Sequence, residues 1–564
     1  MQKFSEVIYK RPEQEEVKAE LTKLLEEFKA AKTPEEAFAV FKRYDEYGNS
    51  VSAMSAVAYI RNSMDTTDEF YDKEKAYFDE VEPVLQEITQ QFGLALVGSP
   101  HRAVMEKEFG TLMFRNVEMQ LKTFSPEIIA DLQEENKLCT EYDKLLASAQ
   151  IAFRGETYTL AQMGPFHEDP DRAARKEART AYTAWYMKQS ETLDRIFDDL
   201  VKVRDRIAKK LGYQSFTEVG YYRMTRNCYD EKMVSVFREQ IQKHIVPVSE
   251  RLKAEKAKRI GVERVTVYDD ALDFLSGNAK PQGTPDDIFA HGKKMYHELS
   301  PETAEFFDYM LERDLFDVLT RKGKSGGGYC YPMSALKMPF IFANFNGTSG
   351  DIDVLTHEAG HAFAFYRAFD IYPSDLQSGG YETAEVHSMS MEFFTWPWME
   401  GFFGGQTNKY RYAHLSGALT FLPYGTMVDE FQHHIYANPG WTPARRNECW
   451  LELEAKYRPY LDQDFDFYRE GRRWQAQSHI YERPFYYIDY CLAQAMALAF
   501  WAESQKDFGA AWKKYLQFVG LAGTKTFTDL VAGANLQSPF AEGCLNAVAS
   551  AAAEWLDSNP VEDK

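Results

Sequence analysis

The chain has 564 residues, 45% of them hydrophobic and 15% aromatic, including 40 Phe and 34 Tyr. That length exceeds what one compact core supports and the composition excludes a disordered chain, so a globular protein of two or more lobes is expected. A formal net charge of −21 with no offsetting Lys/Arg cluster removes the electrostatic term that drives nucleic-acid binding, so no nucleic-acid partner is expected.

Residues 1–12 lack the apolar stretch of a secretory leader, and no later run approaches a membrane span. No membrane partner is expected, and the cytoplasm is the expected location. Cys139, Cys228, Cys330, Cys449, Cys491 and Cys544 lie far apart with no C-x-x-C pair, and they read as reduced thiols.

Most of the chain carries a helical period. Ser125-Pro126-Glu127 is a helix start with Pro at the first position, followed by apolar residues at Ile128, Leu132, Leu138, Tyr142, Leu145 and Ala149. Ile151 to Leu160 alternates around a Gly-containing turn and predicts a hairpin. The Glu168-Asp169-Pro170 turn then suggests a division into an N-terminal helical region, 1–170, and a second region, 171–564. Thr284-Pro285-Asp286-Asp287 and Ser300-Pro301-Glu302 repeat the helix-start signal.

Between Lys324 and Gly350 the helical period lapses. Gly326, Gly327 and Gly328 lead into Tyr329-Cys330-Tyr331 and then into Pro339 to Thr348, which predicts a small sheet feeding the next helix. Gly323-Lys324-Ser325 resembles the end of a phosphate-binding loop, but Val318 stands where that motif needs its first glycine. No G-x-S-x-G elbow supports a serine hydrolase.

The next segment is His357-Glu358-Ala359-Gly360-His361. Helical residues four apart share a face, so both imidazoles reach one ion. Glu358, on the flank, can take a proton from a metal-bound water without ligating the metal. The flanking Asp353 to Thr356 and Ala362 to Phe365 fit a largely buried helix. A catalytic zinc keeps three protein ligands and an open position, so a third ligand is needed downstream. After a loop through Asp370 to Asp375 and Gly379-Gly380, a second helix offers Glu382 and Glu385, between which spacing does not choose. Glu385 and Glu392, seven apart, share a face, so that one can ligate while the other orients a histidine. His387 points elsewhere and reads as structural.

Further on, His479 to Tyr490 concentrates polar aromatics. Tyr487 and Tyr490, three apart, share a helix face. Their hydroxyls or the His479 imidazole are candidates to stabilise an oxyanion, although a chain with 34 Tyr also builds such clusters for packing.

Three blocks together resemble the thimet oligopeptidase and oligoendopeptidase F family of zinc peptidases, in particular the bacterial oligoendopeptidases and the Pz-peptidase group. They are the H-E-x-G-H form at 357–361, the Glu385-Val386-His387-Ser388 stretch ending in Glu392, and the His479 to Tyr490 segment. The resemblance implies one zinc ion held by His357, His361 and Glu385, with Glu358 as general base. It places His479, Tyr487 and Tyr490 near the transition state and leaves open which Tyr meets the oxyanion. Glu392 and Asp353 are expected to brace the ligands from outside. The implied fold is mainly α: two helical lobes around a deep channel, with a small sheet beside the active-site helix. The channel admits short unstructured oligopeptides, expected to lie along Asn344-Phe345-Asn346-Gly347. The nearest rival is a helical zinc carboxypeptidase on the same motif, with Arg472, Arg473 or Arg483 as the cation for a terminal carboxylate. Oligomeric state is not legible.

Overall fold

The computed structural model describes residues 2–561. The chain is mainly α, with a two-stranded hairpin and one three-stranded sheet among the described residues. The predicted helix starts at Thr284 and Ser300 are observed: each hydroxyl accepts from the backbone N–H three residues on, opening Pro285–Leu299 and Pro301–Glu312. The start at Ser125 forms differently. Pro126–Ile128 is a 3₁₀ turn, the helix follows at Ile129–Ala147, and the Ser125 hydroxyl caps nothing. The hairpin pairs Ile151–Phe153 with Glu156–Tyr158 around Arg154 and Gly155, both at positive φ, as a tight two-residue turn requires.

The sheet orders Phe316–Leu319, Met338–Phe345 and Tyr329–Met333, with the first pair parallel and the second antiparallel. The expected peptide edge, Asn344 to Gly347, begins at the end of the central strand and continues past it. Phe345 pairs with Leu319, and the Asn344 amide donates to the Ser325 and Gly327 carbonyls. The Asn346 and Gly347 N–H groups both donate to Asp351, at 2.8 Å. These donors are used inside the protein, and the edge strand near the motif is Tyr329–Met333. Lys324, of the loop-like Gly-Lys-Ser, is buried against Asp317 at 2.9 Å and over the Phe342 ring, where it closes the sheet.

A small cluster of Ile151, Phe153, Met163 and Ala178 backs the hairpin, and two larger cores support the other elements. Val17, Leu21, Leu25, Phe28, Phe41 and Phe92 join the N-terminal helices Gln14–Ala30, Pro34–Met64 and Glu69–Val97. The main core collects the sheet and the helices that follow it. Within it the motif helix Gly350–Ala368 packs on the fold-back helix Tyr381–Phe394, which packs in turn on Tyr487–Ser504. Gly360 makes the first contact possible: a Cβ there would lie 2.6 Å from the Ser388 Cα and 2.7 Å from the His387 carbonyl oxygen.

Candidate active site

The motif helix presents His357 and His361 to one side, and the fold-back helix brings Glu385 between them. Glu385 Oε2 lies 3.2 Å from His357 Nε2 and 3.3 Å from His361 Nε2. One potential ligand atom from each of the three residues falls within 4.8 Å of the other two. Close approach at Gly360 sets this distance, because any side chain there would push the Glu385 helix away.

Protonation is fixed from outside. Trp396 Nε1–H donates to His414 Nδ1 at 3.1 Å, so the neutral His414 ring carries its proton on Nε2, which meets Glu392 Oε2 at 2.8 Å. The other Glu392 oxygen accepts from His357 Nδ1 at 2.7 Å. His357 Nε2 therefore keeps a lone pair aimed at Glu385 and the space between the helices. Asp353 does not touch the ligands. It accepts from Tyr410 at 2.6 Å, and burial pushes its carboxyl up to about 6.

Glu385 is held by Ser388, which donates to Oε2 at 3.0 Å, and by Tyr486, whose hydroxyl donates to Oε1. Glu382, equally placed by spacing alone, points the other way. It accepts from Tyr229 at 3.3 Å beside Asp489, and burial together with Asp489 pushes it up to about 8. Glu358 is buried, and its Oε2 has no hydrogen-bond partner. Gly328 lies over it: a Cβ at that position would sit 3.5 Å from Glu358 Oε1. Three converging ligand atoms, a histidine in the ligating tautomer and an orphaned carboxylate oxygen beside them fit one divalent ion of the zinc type.

The opposite wall carries His479, Tyr487 and Tyr490. The Tyr424 hydroxyl donates to Gln477 Oε1 at 2.7 Å, which turns the amide N–H₂ toward His479 Nδ1 at 3.0 Å. His479 thus donates from Nε2 to the Tyr490 oxygen at 3.2 Å, so the Tyr490 O–H acts as a donor, with the Tyr486 hydroxyl within its reach. Burial, outweighing Glu385, pushes the His479 imidazole down to about 4 and keeps it neutral. Tyr487 instead packs its ring against His479 and Tyr424. A cavity of about 430 Å³ is lined by His357, Glu392, His414, His479, Tyr487 and Tyr490.

Two family models cover most of the chain: a peptidase M3 N-terminal domain over residues 4–124, and peptidase family M3 over residues 166–550. The chain belongs to peptidase family M3. Solved structures agree. A PZ peptidase A bound to an inhibitor is 49% identical, with full coverage of both chains and a TM-score of 0.98. A candidate oligoendopeptidase F from Bacillus anthracis is 46% identical, covering 100% of this chain and 99% of its own, with a TM-score of 0.94. Among curated proteins, none matches.

In this M3 metallopeptidase the structure groups His357, His361 and Glu385, and it lines the adjoining cavity with His357, Glu392, His479, Tyr487 and Tyr490; Glu358 is buried on the motif helix. Asp353 lines the same cavity without touching the ligands, and Asn344 and Phe345 end the central strand while Asn346 and Gly347 lie just past it. The sequence reading missed His414, Tyr486 and Gln477. His414 carries no local signal, because it arrives on the distant helix Thr407–Ala437. Tyr486 lay inside the aromatic block that was singled out, but its turn into Glu385 depends on the loop before Tyr487–Ser504.

Proposed function

We propose that this enzyme is a zinc-dependent endopeptidase that hydrolyses short, unstructured oligopeptides, with one zinc ion held by His357, His361 and Glu385. The observation that carries the reading is the convergence of these three groups with Glu392 fixing the His357 tautomer. When bound, zinc would lower the pKa of a coordinated water toward ~7 and polarise the scissile carbonyl. Glu358 Oε2 takes the proton of the attacking water and returns it to the leaving amine nitrogen. The Tyr490 O–H donates to the oxyanion that develops on the carbonyl, and His479 holds that phenol in place. Tyr487 shapes the wall. The unpaired side of Tyr329–Met333, running past Glu358, is the edge that receives the peptide backbone.

We further assign residues 1–170 as the helical wall of the substrate channel and 171–564 as the catalytic region, which the separate family matches support. The six free cysteines fit the reducing cytoplasm. Of the three arginines a carboxypeptidase could use, Arg472 is already neutralised by Asp194 at 3.1 Å and Glu470 at 2.7 Å. A length series of peptides blocked at both ends tests the proposal. Internal cleavage of short blocked peptides by the zinc-loaded enzyme is expected, and cleavage confined to free C-termini would overturn it.

A further inference from the structure

Behind the active-site wall lies a second cavity of about 420 Å³, which shares Asp273, Ala413, Gly417 and Phe421 with the first. Its lining is unlike the rest of this acidic protein. Arg179, Lys253, Lys256, Arg259, Arg458 and Arg473 face it, against two carboxylates, Asp270 and Asp273.

The pairing inside is incomplete. Asp270 is taken by Lys253 and by Arg458 at 3.6 Å, and Asp273 by Lys256 at 3.0 Å. Arg179, Arg259 and Arg473 have no carboxylate partner among the described residues. Arg259 donates to the Asp273 carbonyl at 2.6 Å, and Arg179 reaches only the Tyr468 hydroxyl at 3.5 Å. Among the described residues the Arg473 guanidinium has no hydrogen-bond partner, and its Nη1 is buried. Arg473 and Arg458 each lie 5.2 Å from the centroid of the Tyr424 ring. The three arginines are half-buried, so each is partly desolvated without a counter-charge, and the cavity they line is electrostatically suited to an anion it does not itself contain.

The two cavities border one aromatic wall that runs from His479 to Arg473. From His479 to Tyr487, from Tyr487 to Tyr424, and from Tyr424 to Arg473 the separations are 5.0, 5.9 and 5.2 Å. At ~3.3–3.6 Å per extended residue, those steps set an upper limit of about four or five residues between His479 and Arg473. Tyr424 is also the residue whose hydroxyl starts the chain through Gln477 and His479 to Tyr490.

We propose that this cationic cavity is a subsite for a carboxylate of the bound oligopeptide, supplied by its C-terminus or by an Asp or Glu side chain several residues from the cleaved bond. The inference rests on the oligopeptidase reading and adds a preference: Arg473, Arg259 and Arg179 anchor one charged point of the peptide and set its register across the zinc ligands. Binding at this distance contributes to substrate and transition state alike, so it lowers KM more than it raises kcat.

The test measures dissociation constants of fluorescent peptides on the zinc-loaded Glu358→Gln enzyme. C-terminal acid and amide forms are compared, as are fully blocked peptides carrying Asp or Asn at each position on either side of the bond. A charge-assisted contact predicts about 10- to 100-fold tighter binding of the acid or of one Asp register. The ratio should shrink in high salt, collapse toward unity in Arg473→Gln and Arg259→Gln, and partly return in Arg473→Lys. The acid-to-amide and Asp-to-Asn arms distinguish the two sources of the carboxylate. Ratios near unity in both arms, or ratios unchanged in the Gln variants, would overturn the subsite. Failure of the unsubstituted zinc-loaded enzyme to cleave any blocked peptide would instead overturn the oligopeptidase reading, while the binding ratios on Glu358→Gln still decide this one.

Discussion

Glu392 touches two imidazoles at once, and that double contact gives the His357 ring its direction. The histidine spacing was legible because an i, i+4 pair on a helix leaves few alternatives. The choice between Glu382 and Glu385 was not, since both stand near one helix start and only the packed neighbours Tyr229 and Ser388 separate them. Glu385→Ala should cost most of the bound zinc, whereas Glu382→Ala should retain it, as metal analysis of dialysed protein would show; equal retention would place the third ligand elsewhere. Tyr490→Phe should lower kcat by ~10²-fold or more with little change in KM, because the lost hydrogen bond forms mainly in the transition state. An effect confined to KM would make Tyr490 a binding residue instead.

At the scale of elements, the helix starts at Thr284 and Ser300 were readable because capping is a local interaction of three or four residues. Strand order was not readable. Within the predicted Pro339 to Thr348 stretch only residues up to Phe345 form a strand, and it is the most apolar one because it is central and buried between two neighbours. Gly360 illustrates a third case, where sequence shows a glycine and only helix packing shows its purpose. Gly360→Ala should destabilise the protein by about 1–3 kcal/mol through overpacking against Ser388 and His387, read as a lower apparent Tm. An unchanged Tm would mean that the helices part freely there, and the close approach would lose its role in placing Glu385.

Across the whole molecule, the N-terminal helices meet the catalytic region at a pair of acids. Asp143, on Ile129–Ala147, and Glu482, just after His479, are both pushed up by burial; the Asp143 charge adds to the effect on Glu482, which reaches about 8. A carboxyl whose folded pKa exceeds its unfolded value holds its proton longer in the folded state, so its stabilisation is present at low pH and is lost as pH rises through about 8. Thermal stability should therefore fall between about pH 5 and pH 8, and Glu482→Gln should flatten that fall; an identical slope in the variant would remove Glu482 as its source.

The most direct test of the central claim pairs zinc content with turnover in Glu358→Gln. Full zinc retention with a rate loss of ~10²–10⁴ is predicted, the range for removing a general base. Near-normal cleavage of a blocked peptide by the zinc-loaded variant would contradict the account.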